Sequence, residues 1–187
     1  MNKKNMLRLA GALTSLIVFA SPAAEKAPDV VNQLMASPVR NLSQADNDAD
    51  GAQRWVAWEE GTIDARSSHL ALYEKNTNGN IQPVWSTAWP DAWAPSLLML
   101  QEWRWHDRPL LAVTLQFGAA AEQVDIYGLD EKQRPQRLAE KTAATIGWKI
   151  SASGQRLLVL YEAKPTVLKA TCYGWQENTL AVQSCDK

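Results

Sequence analysis

Few side chains in this sequence are suited to acid, base or nucleophilic chemistry, and those few are scattered. It has two histidines, His69 and His106, and His106 is followed directly by Asp107. A Ser-His-Asp relay needs a histidine held between its two partners, whereas adjacent residues of a strand point to opposite sides. We therefore expect both histidines to be surface residues or to be satisfied by neighbours, and we predict that the chain is not an enzyme.

Three acids offer the carboxylate pair that glycoside cleavage requires: Glu59, Glu60 and Asp91. Glycosidases hold two carboxyl groups at a defined separation across the bond that they cleave. Nothing in the sequence fixes such a separation here, and neighbouring acids usually form a solvated stretch. The sequence also lacks the motifs of phosphate-binding loops, serine hydrolases and zinc proteases, which favours a non-enzymatic role.

One acidic stretch has the spacing with which calcium loops begin. Three aspartates at alternate positions precede a glycine: Asp46, Asp48, Asp50 and Gly51. Calcium prefers such oxygen ligands, and the glycine permits the sharp turn. Arg54 and Ala57 stand where further ligands would be expected, so we favour a solvated acidic turn and keep the three aspartates as a weak Ca²⁺ site. No other cofactor is predicted.

Tryptophan is unusually abundant, with nine residues against two phenylalanines. Five of them and one histidine cluster in a single stretch and are our candidate binding residues: Trp85, Trp89, Trp93, Trp103, Trp105 and His106. Aromatic side chains dominate both cores and interfaces. The set is therefore either a platform for a protein or for sugar rings, or core filling, and we favour the core. Because Pro90 and Pro95 interrupt it, residues 85–95 are predicted to be an irregular connection.

Hydrophobic patterning predicts an all-β fold. Residues 110–115 form an apolar run typical of a strand covered on both faces, and residues 124–127 alternate as a strand with one packed face does. Similar pairs occur at residues 55–58 with 70–73 and at residues 157–161 with 167–173. Each pair leads to a polar turn and then to a further strand, at residues 82–86, 136–141 and 179–184.

The pairs recur at roughly 45–55 residues, which is in the range of propeller blades. We therefore predict a single β-repeat domain over residues 42–187, with units at about 42–94, 95–145 and 146–187. Residues 24–41 are expected to tether and dock the N-terminus, with a first strand near residues 40–42.

The N-terminus has the pattern of a secretory signal peptide over residues 1–23. Lys3, Lys4 and Arg8 form its basic region, and the apolar run that follows is too short to span a bilayer. Cleavage is expected after Ala20 or Ala23, with no membrane span afterwards. Removing three cations changes the net charge from −1 to −4, which argues against a nucleic-acid partner. The expected location is the periplasm or the exterior.

Two cysteines, Cys172 and Cys185, flank the last predicted hairpin turn. In an oxidising compartment such a pair is expected to form a disulfide. The two residues are not opposite each other in a simple hairpin register about residues 176–178, so we expect a bulge or a shifted register to bring them together. Two buried free thiols are the alternative.

Residues 96–130, SLLMLQEWRWHDRPLLAVTLQFGAAAEQVDIYGLD, resemble one blade of the FG-GAP type of β-propeller. The resemblance extends over residues 42–184 as three units and implies an incomplete propeller. Blades of this type often carry an aspartate-rich calcium loop before their second strand. Only residues 46–51 approach such a loop here, since the equivalent turns read WHDRP and SASG.

Three blades are too few for an ordinary closed propeller, and an open array leaves sheet edges for a partner to cover. In outline such a protein is similar to the periplasmic immunity proteins of type VI secretion systems, which plug peptidoglycan-cleaving effectors. The resemblance implies a protein-binding inhibitor whose partner is a peptidoglycan hydrolase or amidase. The alternatives are a carbohydrate or peptidoglycan binder that uses the tryptophan cluster, and a scaffold subunit of an envelope complex.

Overall fold

A computed structural model describes residues 39–48, 51–163 and 168–185, and this part of the chain consists of twelve β-strands joined by turns. The strands form three four-stranded antiparallel sheets, and in each sheet neighbours in space are also neighbours in sequence. The predicted all-β fold is confirmed. The described residues include no helix that would be long and apolar enough to cross a membrane. The predicted signal peptide and most of the docking segment lie outside them.

The three sheets follow one another along the chain. Sheet one contains β1 (Arg40–Asp46), β2 (Gln53–Thr62), β3 (Ala65–Lys75) and β4 (Ile81–Pro90). Sheet two contains β5 (Ala92–Trp105), β6 (Arg108–Phe117), β7 (Ala121–Leu129) and β8 (Pro135–Ala143). Sheet three contains β9 (Thr145–Ile150), β10 (Arg156–Ala163), β11 (Leu168–Gln176) and β12 (Thr179–Gln183). A single residue, first Asp91 and later Ala144, joins each sheet to the next.

The junction between sheets one and two corrects one prediction. Residues 85–95 are not an irregular connection, because β4 continues to Pro90 and β5 begins at Ala92. β4 and β5 are edge strands, where a proline need not remove a ladder hydrogen bond. Pro90 is the last residue of β4, and Pro95 lies at a register shift of β5 against β6. Asp91 makes the change of direction with a φ of 60°.

Two hydrophobic cores lie between the three sheets, one at each interface, and β6 contributes to both. Leu111, Val113 and Leu115 face sheet one in the first core, whereas Leu110 and Ala112 face sheet three in the second core. The side chains of a strand alternate between its faces, so the unbroken apolar run at residues 110–115 belongs to a strand that is covered on both sides, as predicted. Sheet two therefore holds the other two sheets together.

Cys172 and Cys185 form the predicted disulfide, with their Cα atoms 5.3 Å apart. The expectation of a bulge or shifted register is wrong, because β11 and β12 pair regularly and Cys172 lies opposite Gln183. Cys185 is two residues beyond that partner and lies past the end of β12. The bond thus fastens the end of the chain back onto β11.

Candidate functional site

The predicted tryptophan cluster does not form one surface, and its first two members belong to the first core. The ring of Trp85 lies 6.0 Å from that of Trp55 and 5.6 Å from that of Tyr127, measured between centroids. Trp89 is buried, and its Nε1 donates to Oδ2 of Asp125 at 3.0 Å. These rings fill the space between sheets one and two, and the indole of Trp89 also binds one sheet to the other.

Trp103 has the corresponding role in the second core. Its ring lies near those of Trp148 and Trp175, with centroids 5.6 and 6.0 Å away. Its Nε1 donates to the carbonyl oxygen of Arg156 in sheet three at 3.1 Å. The Nε1 of Trp175 donates in the opposite direction, to the carbonyl oxygen of Arg104 in sheet two at 2.9 Å. The tryptophans therefore combine large apolar rings with donors that cross between sheets.

Trp93 and Trp105 lie near opposite ends of β5, away from the centres of the two cores. Trp93 donates from Nε1 to Oε1 of Gln116 at 2.8 Å, and the guanidinium of Arg66 stands 5.5 Å from its ring centroid. Trp105 is half-buried at the opposite end of β5, and its ring lies 4.3 Å from that of the exposed His106. Of the predicted binding residues, only these last two are close neighbours at an accessible surface.

Asp125 is a buried acid whose importance the sequence reasoning missed. Its side chain is fully buried and accepts hydrogen bonds from Trp89, from Gln123 Nε2 at 2.8 Å and from Arg137 Nη1 at 3.2 Å. Burial, together with Asp125, raises the pKa of the neighbouring Tyr127 far above its ordinary value, so the phenol stays neutral. The signal was an acid within the otherwise apolar end of β7, residues 124–129, where a buried charge needs partners.

Glu59 is the second buried acid, and it completes the backbone hydrogen bonding of β5. β5 leaves its ladder between Trp93 and Ser96, and Ala94 has a φ of 49°. Oε2 of Glu59 accepts the N–H of Ala94 at 3.1 Å and also Nδ2 of Asn41 at 2.7 Å. In the same way Glu122 accepts the N–H of Ile146 at the start of sheet three, at 2.6 Å. Both carboxylates thus join one sheet to the next.

Ser67, His69 and Glu60 lie together on the outer face of sheet one. Ser67 Oγ is 2.8 Å from His69 Nε2, and Glu60 Oε2 is 3.6 Å from the same nitrogen. In a catalytic triad the acid and the nucleophile bind opposite nitrogens of the imidazole. β3 is hydrogen-bonded to strands on both sides, so the sheet ladders engage its backbone. The imidazole stacks on Trp58, with centroids 5.2 Å apart, so this group is a surface hydrogen-bonding cluster.

The other predicted acidic groups are separated or already engaged. Glu59 and Glu60 point to opposite faces of β2, as adjacent strand residues do. Oδ1 of Asp46 accepts from Nε of Arg54 at 2.6 Å, and Oδ1 of Asp48 accepts the N–H of Gln53 at 3.2 Å. Asp50 lies outside the described residues. Across the described ranges, no group of three or more potential ligands is close enough to hold a metal ion.

One end of the molecule has the features of a recognition surface. Several turns between neighbouring strands lie there, among them residues 76–80, 106–107, 130–134 and 151–155. We call this the turn end. Residues 130–134, between β7 and β8, form a ridge there. Side chains of sheets one and two meet beside it, since Nε2 of Gln53 donates to Oε1 of Gln133 at 2.7 Å. The ridge therefore projects from sheet two while it is fastened to sheet one.

The ridge is rigidly built around Asp130. Its Oδ1 accepts the N–H groups of Lys132 at 2.9 Å and Arg134 at 2.8 Å. Its Oδ2 lies 2.7 Å from Nη2 of Arg134, and its carbonyl oxygen accepts the N–H of Gln133 at 2.9 Å. Hydrogen bonding to the backbone N–H of Arg134, followed by the contacts with its side chain, lowers the pKa of Asp130. The carboxylate is therefore ionised at neutral pH.

Two clefts flank the ridge. The first cleft, of about 620 Å³, opens between sheets one and two and is lined in part by Gln53, Glu74 and Trp85. The second cleft, of about 420 Å³, lies on the other side and is lined in part by Trp105 and His106. Both clefts share three ridge and β8 residues: Lys132, Arg134 and Gln136. Three of the six predicted binding residues thus line these clefts.

No family model, no curated protein and no solved structure matches this chain. The resemblance of residues 96–130 to an FG-GAP blade stays an expectation from the sequence. Within the described part of the chain, the ridge and its two clefts are the features with the shape and the exposed polar groups of a recognition surface, and the function of the chain is inferred from them.

Proposed function

We propose that this chain is an exported protein-binding module, most concretely an immunity or inhibitor protein that occludes a cell-wall-degrading enzyme in the periplasm. The observation that carries the proposal is the ridge. Glu131, Lys132 and Gln133 are exposed at its tip, while Asp130 holds the backbone beneath them. A binding loop that is already ordered loses little conformational entropy when a partner binds.

The arrangement of the sheets supports an incomplete propeller as the scaffold of this module. Each sheet consists of four consecutive antiparallel strands, and one residue leads from the last strand of a sheet to the first strand of the next. The sheets pack face to face through separate cores. In the proposed scaffold each sheet corresponds to one blade, and the turns of one end provide the binding surface.

Export is the second part of the proposal. Residues 1–23 have the composition of a signal peptide, and the Cys172–Cys185 disulfide suits an oxidising compartment. The buried acids favour a binding role over catalysis, because the carboxylates of Glu59 and Asp125 are occupied by hydrogen bonds that hold the sheets together.

The shape of the turn end favours a partner with a groove. A ridge that is flanked by a cleft on each side fits a groove whose two walls enter the clefts. Enzymes that cleave peptidoglycan bind a long polymer and need such a groove, so occupation by the ridge would exclude their substrate. The proposed partner is therefore a peptidoglycan hydrolase or amidase.

Isolation of the partner tests this proposal. The tagged full-length chain is expressed in its own host, and complexes are purified from the periplasmic fraction. We expect a protein that cleaves purified peptidoglycan to co-purify at a fixed ratio. The double variant Glu131→Arg/Lys132→Glu should lose it, whereas Asp64→Arg, in the turn at the opposite end of sheet one, should retain it. Recovery of the same partner by all three proteins would reject the ridge as the contact.

A further inference from the structure

The first cleft has the properties of a small-molecule site that lies beside the ridge and shares Gln133 with the tip of the ridge. Its volume of about 620 Å³ falls within the roughly 300–1,000 Å³ that is typical of ligand pockets. Its walls come from two sheets, with Trp85 on the side of sheet one and the ridge on the side of sheet two. Small ligands commonly bind at such junctions.

A buried amide organises the polar side of the cleft. Gln53 is only 6 % exposed. Its Nε2 donates to Oε1 of Gln133 at 2.7 Å and to Oε1 of Glu74 at 3.3 Å, while its Oε1 accepts from Nδ2 of Asn47 at 3.0 Å. Gln53 therefore has no free donor left for a ligand. Its effect is to fix the orientation of Glu74 and Gln133, which line the cleft above it.

The groups that remain free include both donors and acceptors. Oε2 of Glu74, Nε2 of Gln133 and the amide of Gln136 have no hydrogen-bond partner among the residues that the structure describes. A hydroxyl group donates one hydrogen bond and accepts two, so adjacent hydroxyls match such a mixed set. Half-buried Trp85 adds an apolar aromatic ring to the lining, which suits the C–H groups of a sugar ring.

The charges around the cleft are of both signs and give no clear preference for an anion or a cation. An anion would be repelled by the carboxylate of Glu74 and attracted by Lys132, and a cation would meet the reverse. The guanidinium of Arg134 is neutralised by Asp130. A ligand without net charge fits this balance best.

We propose that the first cleft binds a short, uncharged saccharide, held by Glu74, Gln133 and Gln136 against the ring of Trp85. Gln53 is the positioning residue of this site. Of the five clustered tryptophans, only Trp85 belongs to this site. The inference stands on the geometry of the cleft and does not rest on the proposed inhibition of a hydrolase.

Titration with defined sugars tests the proposal. Chitotriose, cellotriose and maltotriose are each titrated into the full-length mature protein, and binding is measured by calorimetry and by tryptophan fluorescence. We expect saturable one-to-one binding of at least one of them. The variants Gln133→Ala and Glu74→Ala should each weaken it about tenfold, as the loss of one good hydrogen bond does. Gln101→Ala, an exposed amide on β5 outside the cleft, is the matched control and should bind normally.

The side-chain amide NMR signals of Gln53 and Gln133 provide a measurement that does not depend on the stability of the variants. In the unaltered protein both signals should shift as the sugar binds. The absence of saturable binding by all three sugars at millimolar concentration would overturn the proposal. Equal weakening by Gln101→Ala, or sugar-induced shifts confined to other parts of the chain, would overturn it as well.

Discussion

At the scale of single residues, buried acids hold this fold together. Asp125 accepts hydrogen bonds from three side chains that lie on both sides of the first core, and Glu59 accepts the N–H of Ala94 where β5 leaves its ladder. A buried carboxylate is stabilising only if its hydrogen bonds are complete. The two buried acids, Asp125 and Glu59, therefore have a structural role.

Replacing Asp125 by alanine tests this role. The change leaves the buried Nε1 of Trp89 and the amide of Gln123 without an acceptor, and each unsatisfied group costs about 1–3 kcal/mol. We expect the free energy of unfolding to fall by about 3 kcal/mol in urea denaturation. Glu140→Ala removes the half-exposed acid that pairs with the same Arg137, and its effect should stay below about 1 kcal/mol. Equal losses in both variants would contradict the account.

Asp130 gives the ridge a defined dependence on pH. Its pKa in the folded protein lies below the ordinary 3.8, so ionised Asp130 stabilises the fold above that pH. The contribution disappears as the pH falls through the lower, folded-state pKa. Asp130→Asn should therefore be less stable than the unaltered protein at pH 7, and the difference should shrink near pH 3. Urea midpoints at the two pH values measure it.

The exposed neighbour Glu131 provides the control for this pH experiment. Glu131→Gln should follow the unaltered protein at both pH values, because its carboxylate has no ion-pair or hydrogen-bond partner recorded in the described ranges. A stability gap for Asp130→Asn that is the same at pH 7 and pH 3 would mean that the charge of Asp130 does not hold the ridge.

At the scale of elements, the second cleft depends on how closely the Trp105 side chain of β5 packs on β7. Trp105 crosses from β5 to lie over Gly128 of β7. A Cβ atom at Gly128 would come within 2.7 Å of Cε3 of Trp105 and within 2.9 Å of the side chains of Leu110 and Leu138. The absence of a side chain at this position is therefore what allows Trp105 to line the cleft.

Gly128→Ala should destabilise the protein by about 1–3 kcal/mol, which is the usual cost of overpacking a core. The signal of the Trp105 indole should also shift in the NMR spectrum. Gly147→Ala is the comparison, since its added Cβ would meet only the far edge of the Tyr161 ring at 3.3 Å, and a smaller loss is expected. A neutral effect of Gly128→Ala on thermal unfolding would show that Trp105 is not held there.

The Cys172–Cys185 disulfide fastens the last described residues to β11. It closes a sequence separation of 13 residues, for which a chain-entropy estimate gives about 3 kcal/mol. We expect Cys172→Ala/Cys185→Ala to lose about that much in urea denaturation without reductant. With reductant present, the unaltered protein should become nearly as unstable as the variant. A persistent difference under reducing conditions would point to lost packing as the cause.

Strand positions were predictable from the sequence because alternation and apolar runs report local burial directly. The run in β6 even indicated coverage on both faces. The contacts between sheets were not predictable, since nothing in the spacing of Trp89, Asp125 and Arg137 along the sequence indicates that their side chains are in contact. The same limit applies to the turn end: Trp85 and Trp105 were among the candidate binding residues, but their separation into two clefts depends on how the sheets pack.

At the scale of the whole molecule, the scaffold and the surface have separate tasks. Two apolar cores and the indole and carboxylate contacts between sheets fix three sheets in a stack. That stack presents the turns of one end as a preformed surface. Because the exposed side chains of Glu131 and Lys132 take no part in either core, they can be substituted without changing the fold.

Inhibition of a purified peptidoglycan hydrolase isolated with this protein tests the central claim most directly. The release of labelled fragments from peptidoglycan is followed while the unaltered protein, Glu131→Arg/Lys132→Glu or Asp64→Arg is added. The account predicts stoichiometric inhibition by the unaltered protein and by Asp64→Arg, and an at least tenfold higher requirement for the ridge variant, or about 1.4 kcal/mol of binding free energy. Unchanged hydrolysis at saturating protein, or equal inhibition by all three, would contradict it.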